Sequence, residues 1–133
     1  MNNRVEKMIP MAFKAVRKWM KNPDDSISKQ YNGYIASFGA SVIQAGMPLA
    51  LLYNLRSKNS KGNEKLKSGR EVDREPMMKA IFQVVKEYRG TLNSDAKNLF
   101  DYYRESNDQQ MLRRQILDAA VAIKLVIRTF PLK

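Results

Sequence analysis

The cations of this chain have the strongest chemical signature, because 24 lysine and arginine residues stand against 13 aspartate and glutamate residues. A formal charge of +11 on 133 residues favours polyanionic partners, either nucleic acid or an anionic membrane surface. A merely basic, solvated surface is the alternative explanation. Histidine and cysteine are both absent, which excludes disulfides, thiolate metal sites and histidine-based acid–base catalysis.

The first basic group lies near the start of the chain. Apolar residues recur there at helical spacing, and the opposite face carries Lys14, Arg17, Lys18 and Lys21. The spacing predicts that the three lysines form one row on a helix. Such a row is either a solvated helix face or a track for the phosphate groups of a nucleic acid.

Two further basic groups follow. The stretch 56–75 has almost no apolar residues, contains Lys58 and Lys61, and predicts a flexible basic loop. A loop of this kind either becomes ordered on RNA or is simply disordered. In the last helical segment, Lys124 and Arg128 are four residues apart and share one exposed strip.

Motifs for chemistry are missing. Neither a GxxxxGK[ST] nor a GxGxxG phosphate loop is present, and no carboxylate pair has a catalytic spacing. Asp24 and Asp25 precede a predicted helix, where acidic residues are typical as caps or helix-dipole partners. We therefore predict no catalytic residue, no metal ligand and no cofactor.

The apolar periodicity predicts an all-α fold: a compact bundle of about five helices in a single domain, residues 1–133. Its central element is the stretch 28–55, in which apolar residues keep one core-facing side of a helix through Gly46 and Pro48: Tyr31, Ile35, Phe38, Val42, Ala45, Leu49 and Leu52. We expect one long helix that bends at this point without ending. Its many small residues predict close neighbours on more than one side.

The other predicted helices are bounded by proline, glycine and capping residues. The first covers residues 3–20 and either kinks at Pro10 or starts there. The next begins at Pro76 and stops at Gly90, a shorter one is capped by Ser94, and the last runs from Asp108 to Pro131. No apolar run is long enough to cross a membrane and no secretory signal is present, so we expect a soluble, cytoplasmic protein.

Two of these segments carry family features. The stretch 28–55 and its continuation have an early aromatic residue, a small residue, an isoleucine, a glycine, an apolar run and a Ser-Lys ending: Tyr34, Gly39, Ile43, Gly46, Leu49–Tyr53 and Ser57-Lys58. The last helix has an alanine-rich start, Ala119-Ala120, and an aliphatic-basic-aromatic ending, Ile127–Phe130. In these features, which cover roughly half of the chain, it resembles the small helical subunit family of the type III-B CRISPR effector, the Cmr complex.

The resemblance implies a compact, non-catalytic helical subunit that works in antiviral defence. Copies of it would stack within a ribonucleoprotein, beside other subunits, and line the path of the guide RNA and the target RNA. In such an assembly the subunit needs only to neutralise the phosphates of the RNA, because base pairing between guide and target reads the sequence. The residues that we expect to bind RNA are Lys14, Arg17, Lys18, Lys21, Lys58, Lys61, Lys124 and Arg128.

Two other classes of function remain open at this point. One is a helical protein-interaction module, which would bind an acidic protein partner and make no direct contact with RNA. The other is an RNA-cleaving enzyme that works without histidine, for which we expect no activity.

Overall fold

The computed structural model describes residues 3–55 and 73–133. These residues contain six α-helices and no β-strand, which confirms the predicted all-α bundle. The helices are α1 (Asn3–Trp19), α2 (Gln30–Ala45), α3 (Met47–Leu55), α4 (Glu75–Arg89), α5 (Leu99–Arg104) and α6 (Gln109–Ile127). Most of the predicted 56–75 loop, including Lys58 and Lys61, lies outside the described residues.

The centre of the bundle is the pair α4 and α6, and not the stretch 28–55. Helix α1 packs along both α4 and α6, while α2 packs on α6 and α3 packs on α4 and α5. Among the described helices, α1 makes no extended contact with α2 or α3. The central pair therefore has α1 on one side and the α2–α3 arm on the other.

Helix α1 continues through Pro10, so it does not start there. Proline lacks the amide hydrogen and crowds the preceding turn, which weakens a helix at this position. The turns before Pro10 are nevertheless anchored, because Val5 and Met8 are buried in the core. Burial of this apolar face outweighs the local cost of the proline.

The predicted single helix over 28–55 is wrong, because it ends at Gly46. This glycine has φ 89° and ψ 160°, and α3 starts at the next residue. Before the break the core receives Tyr31, Ile35, Phe38 and Val42. After it, the buried residues are Met47, Ala50, Leu51 and Asn54. The buried face has thus shifted along the chain, and the predicted core positions Ala45, Leu49 and Leu52 are exposed.

Three predicted boundaries of the later helices agree with the structure and two do not, since α6 ends at Ile127 and does not reach Pro131. Pro76 lies in the first turn of α4, and Gly90 ends that helix in the left-handed conformation with φ 72°. The Asp108 side chain caps α6 by accepting a hydrogen bond from the Met111 amide at 3.1 Å. The prediction for Ser94 is wrong, because α5 is capped by Asn98.

The turn between α1 and α2 is joined to the end of the chain. The Ile27 amide donates to the Pro131 carbonyl at 2.8 Å, and the Lys133 amide donates to the Ile27 carbonyl at 2.9 Å. The Asp24 carboxylate accepts from the Ser26 hydroxyl at 2.5 Å and from Lys133 Nζ at 3.0 Å. These bonds hold the pKa of Asp24 well below its usual range. Asp24 therefore organises the turn, whereas α2 begins without a side-chain cap.

Arg74 fastens the α2–α3 arm to the start of α4. Its guanidinium carbon lies 4.2 Å from the ring centroid of Tyr34 and 5.4 Å from that of Tyr53. Its Nη1 atom also donates to Oδ1 of the buried Asn54 at 2.9 Å. The sequence placed Arg74 in a flexible loop, which is wrong for this residue, since the ring contacts and the hydrogen bond hold its side chain.

Candidate nucleic-acid interface

Helices α1 and α4 run antiparallel and pack against each other along a line that we call the α1–α4 seam. Trp19 Nε1, at the end of α1, donates to Gln83 Oε1 on α4 at 2.8 Å. One helical turn earlier on α1 and one turn later on α4, Lys14 Nζ lies 2.6 Å from Glu87 Oε2. These two cross-helix contacts set the register of the seam.

Three lysines gather along this seam, and we call them the seam lysines. The Nζ atoms of Lys18 and Lys79 each lie 4.9 Å from the ring centroid of Trp19. The third, Lys86, has its Nζ 4.1 Å from the ring centroid of Phe82. Cation–π contacts of this kind hold an ammonium group in place while it keeps hydrogens for another acceptor.

The environment of Lys86 is electrostatically unfavourable for a cation. Burial lowers the pKa of Lys86, and the positive charge of Lys18 lowers it further. Its neighbour along the seam, Lys79, has a carboxylate oxygen of Glu75 at 3.7 Å, an exposed pair that contributes little. An anion placed on the seam would relieve the repulsion between Lys18 and Lys86.

The predicted row of three lysines keeps only Lys14 and Lys18 on α1. Lys21 lies beyond the end of the helix, and its Nζ contacts Asp25 Oδ1 at 2.8 Å. Lys14 is on the seam, but Glu87 neutralises it. Of the three, only Lys18 joins a group of cations. The row is incomplete because α1 ends at Trp19, where the chain enters the turn.

Of the other predicted residues, Lys58 and Lys61 are outside the described ranges, and the remaining three lie towards the end of the bundle where α6 stops. The guanidinium carbon of Arg17 is 5.4 Å from the Phe13 ring centroid, and that ring is 6.3 Å from the Phe130 ring. Arg128, two residues before Phe130, is the exposed C-cap of α6, whereas Lys124 is half-buried. Arg17 and Arg128 thus belong to neighbouring parts of one basic end.

The sequence analysis missed Lys79 and Lys86, although a signal was present. They are seven residues apart on α4, a spacing that places both on one helix face. The prediction for this helix rested on its apolar face and did not include the two lysines. Their proximity to Lys18 could not be read from spacing, because it depends on how α1 packs on α4.

A second surface, on the α2–α3 arm, has the opposite chemistry. Neither helix contains a charged residue. Four large apolar side chains are exposed on it: Ile43 at 77%, Leu49 at 60%, Tyr53 at 53% and Leu52 at 46%. We call these four residues the apolar arm face. Groups of exposed apolar residues are typical of surfaces that contact another protein.

No group of three or more acidic side chains within 3–55 and 73–133 is placed to hold a metal ion. In those same ranges every helix is too short or too polar to cross a lipid bilayer. Comparison of the chain with protein-family models, curated proteins and solved structures finds no match.

Proposed function

We propose that the chain is a non-catalytic structural subunit of a cytoplasmic ribonucleoprotein that binds RNA through the phosphate backbone. The resemblance described above makes a type III-B CRISPR effector the proposed assembly, with guide RNA and target RNA as the nucleic acids. Other subunits and further copies of the same chain are the proposed protein partners.

The observation that carries this proposal is the separation of two surfaces with different chemistry. Cations gather on the α1–α4 seam and at the end of α6, whereas the α2–α3 arm is uncharged and exposes apolar side chains. The α4–α6 pair lies between α1 and the arm. A subunit of a ribonucleoprotein needs both surfaces, one for the phosphates and one for its protein neighbours.

The proposed mechanism is charge neutralisation without base recognition. Lysine and arginine side chains contact phosphates, and those contacts position a strand but carry no sequence information. Such binding releases counterions and is therefore weakened by salt. For contacts with about 4–6 phosphates of a single strand, the log–log slope of the association constant against salt is roughly −3 to −4.

The test is a titration of labelled single-stranded RNA with the full chain across a salt series. We expect a slope in the range above, and equal affinity for two unrelated sequences of the same length. A slope near zero would contradict the phosphate mechanism. Incubating the protein with labelled RNA and magnesium should leave the RNA intact, and cleavage would contradict the non-catalytic role.

The apolar arm face also favours the second candidate, a protein-interaction module, and the net charge of +11 makes an acidic protein its proposed partner. Polyglutamate of matched charge, used as a competitor, separates the two. Competition by RNA at much lower concentration than polyglutamate supports RNA as the ligand. The reverse order would favour the acidic protein partner.

A further inference from the structure

We propose that the α1–α4 seam is a binding site for a single RNA strand, with the seam lysines contacting successive phosphates beside Trp19. This site deepens the proposed function and rests on it, because that function identifies the polyanion as RNA. It differs from the predicted site, since two of its three cations are on α4 and were not expected to contribute.

The order of groups along the seam indicates an extended ligand. Lys79 and Lys18 share the Trp19 ring, and the charge of Lys18 also reaches Lys86. Seven residues separate Lys79 from Lys86, which is about 10 Å along the axis of α4. Their ammonium groups also lie beside different rings, Trp19 for Lys79 and Phe82 for Lys86, so a chain of phosphates fits the two lysines better than a single phosphate group does.

Trp19 gives the site an aromatic component. Its indole is half-buried, and its Nε1 atom is held by Gln83 at 2.8 Å. The ring is occupied by the ammonium groups of two lysines, so its role is to hold these cations in place for phosphates and not to stack a base. Both neighbouring lysines approach this same ring.

The arrangement is unfavourable for the empty protein and favourable for a complex. Lys18 and Lys86 repel each other, and burial further disfavours the charge on Lys86. A bound phosphate would replace that repulsion with charge-assisted hydrogen bonds, which are among the stronger hydrogen bonds in proteins. Binding of an anion on the seam would therefore lower the electrostatic free energy of the protein.

Trp19 is the only tryptophan in the chain, so its fluorescence reports on the seam directly. We expect a change in intrinsic fluorescence when unlabelled single-stranded RNA is added, with the same midpoint as the titration of labelled RNA. Inorganic phosphate at the same phosphate concentration should give no comparable change. An equal response to inorganic phosphate would overturn the extended site.

The decisive variants are the triple substitution Lys18→Gln, Lys79→Gln and Lys86→Gln and a control of equal charge loss elsewhere. The control replaces three exposed cations outside the seam with glutamine: Lys29, Lys97 and Arg114. The seam variant should reduce the salt slope by about 2 and weaken binding on the order of 100-fold at 0.1 M salt, from the loss of three phosphate contacts. The control should leave the slope unchanged.

Thermal unfolding of both variants guards against a trivial loss of structure. The seam variant should change its unfolding temperature little, because the lost cation–π contacts are offset by the removal of the repulsion between Lys18 and Lys86. If the wild type binds RNA and the two triple variants weaken this binding equally, the seam site is refuted and the proposed function remains intact. A wild-type chain that shows no salt-dependent RNA binding would overturn the proposed function itself.

Discussion

Replacing Gly46 with alanine tests the break between α2 and α3. The backbone there has φ 89° and ψ 160°, a region that is essentially restricted to glycine. A Cβ atom at this position would approach only Cδ of Pro48, at 3.9 Å, which is an ordinary contact. The penalty is therefore backbone strain, and we expect Gly46→Ala to lower the free energy of unfolding by about 1–3 kcal/mol.

Gly39→Ala is the matched control within the same stretch. Gly39 lies inside α2, and a Cβ atom there would meet nothing within 4 Å. Alanine is favoured over glycine in a helix by about 0.8–1 kcal/mol, so this variant should be more stable than the wild type. The two substitutions at Gly39 and Gly46 should differ by about 2–4 kcal/mol.

Urea unfolding followed by far-ultraviolet circular dichroism measures both variants, with linear extrapolation to water. The expected result is a pair of shifts in opposite directions with unchanged urea dependence. If Gly46→Ala is stabilised as much as Gly39→Ala, then position 46 has a helical backbone. The stretch 28–55 would in that case be one continuous helix, and our reasoning about the break would be refuted.

Three further predictions concern packing, pH and the Arg74 contacts. Ile35→Ala should lower the free energy of unfolding by about 2–5 kcal/mol, because this side chain is only 4% exposed. The exposed Ile43 is its control, and Ile43→Ala should change the free energy of unfolding by less than about 0.5 kcal/mol. Urea unfolding measures both variants. The wild type should be more stable than Asp24→Asn, and this difference in stability should be fully present above the usual carboxyl pKa of 3.8. Because folding lowers the pKa of Asp24, the difference should disappear as the pH falls below that value. Thermal unfolding across a pH series measures it. Arg74→Ala should cost about 1–3 kcal/mol, since it leaves a buried Asn54 oxygen without this donor, again measured in urea.

Each of these has an outcome that contradicts it. Equal losses for the two isoleucine variants would mean that Ile43 is buried. A difference between wild type and Asp24→Asn that persists unchanged at the lowest pH would rule out the Asp24 carboxylate as its source. If Arg74→Ala is as stable as wild type, the guanidinium does not fasten the α2–α3 arm to α4.

Local signals predicted much of the fold. Proline at the start of α4, the left-handed Gly90 at its end and the Asp108 cap of α6 were all recognised, because each acts within one helical turn. The candidate site was predicted less well, since only Lys18 of the seam lysines was named.

Sequence by itself determined that this protein is helical, because the apolar periodicity of a helix is set by residues three and four positions apart. It also determined that the protein is strongly basic and lacks histidine and cysteine, because these properties follow from composition alone. Tertiary structure alone decided which faces are buried. The apolar phase ran unbroken through Gly46, yet packing on α4 and α5 turned α3 so that Leu49 became exposed. It also decided which cations meet. Lys18 and Lys86 are 68 positions apart, and only the packing of α1 on α4 brings their charges within reach of each other.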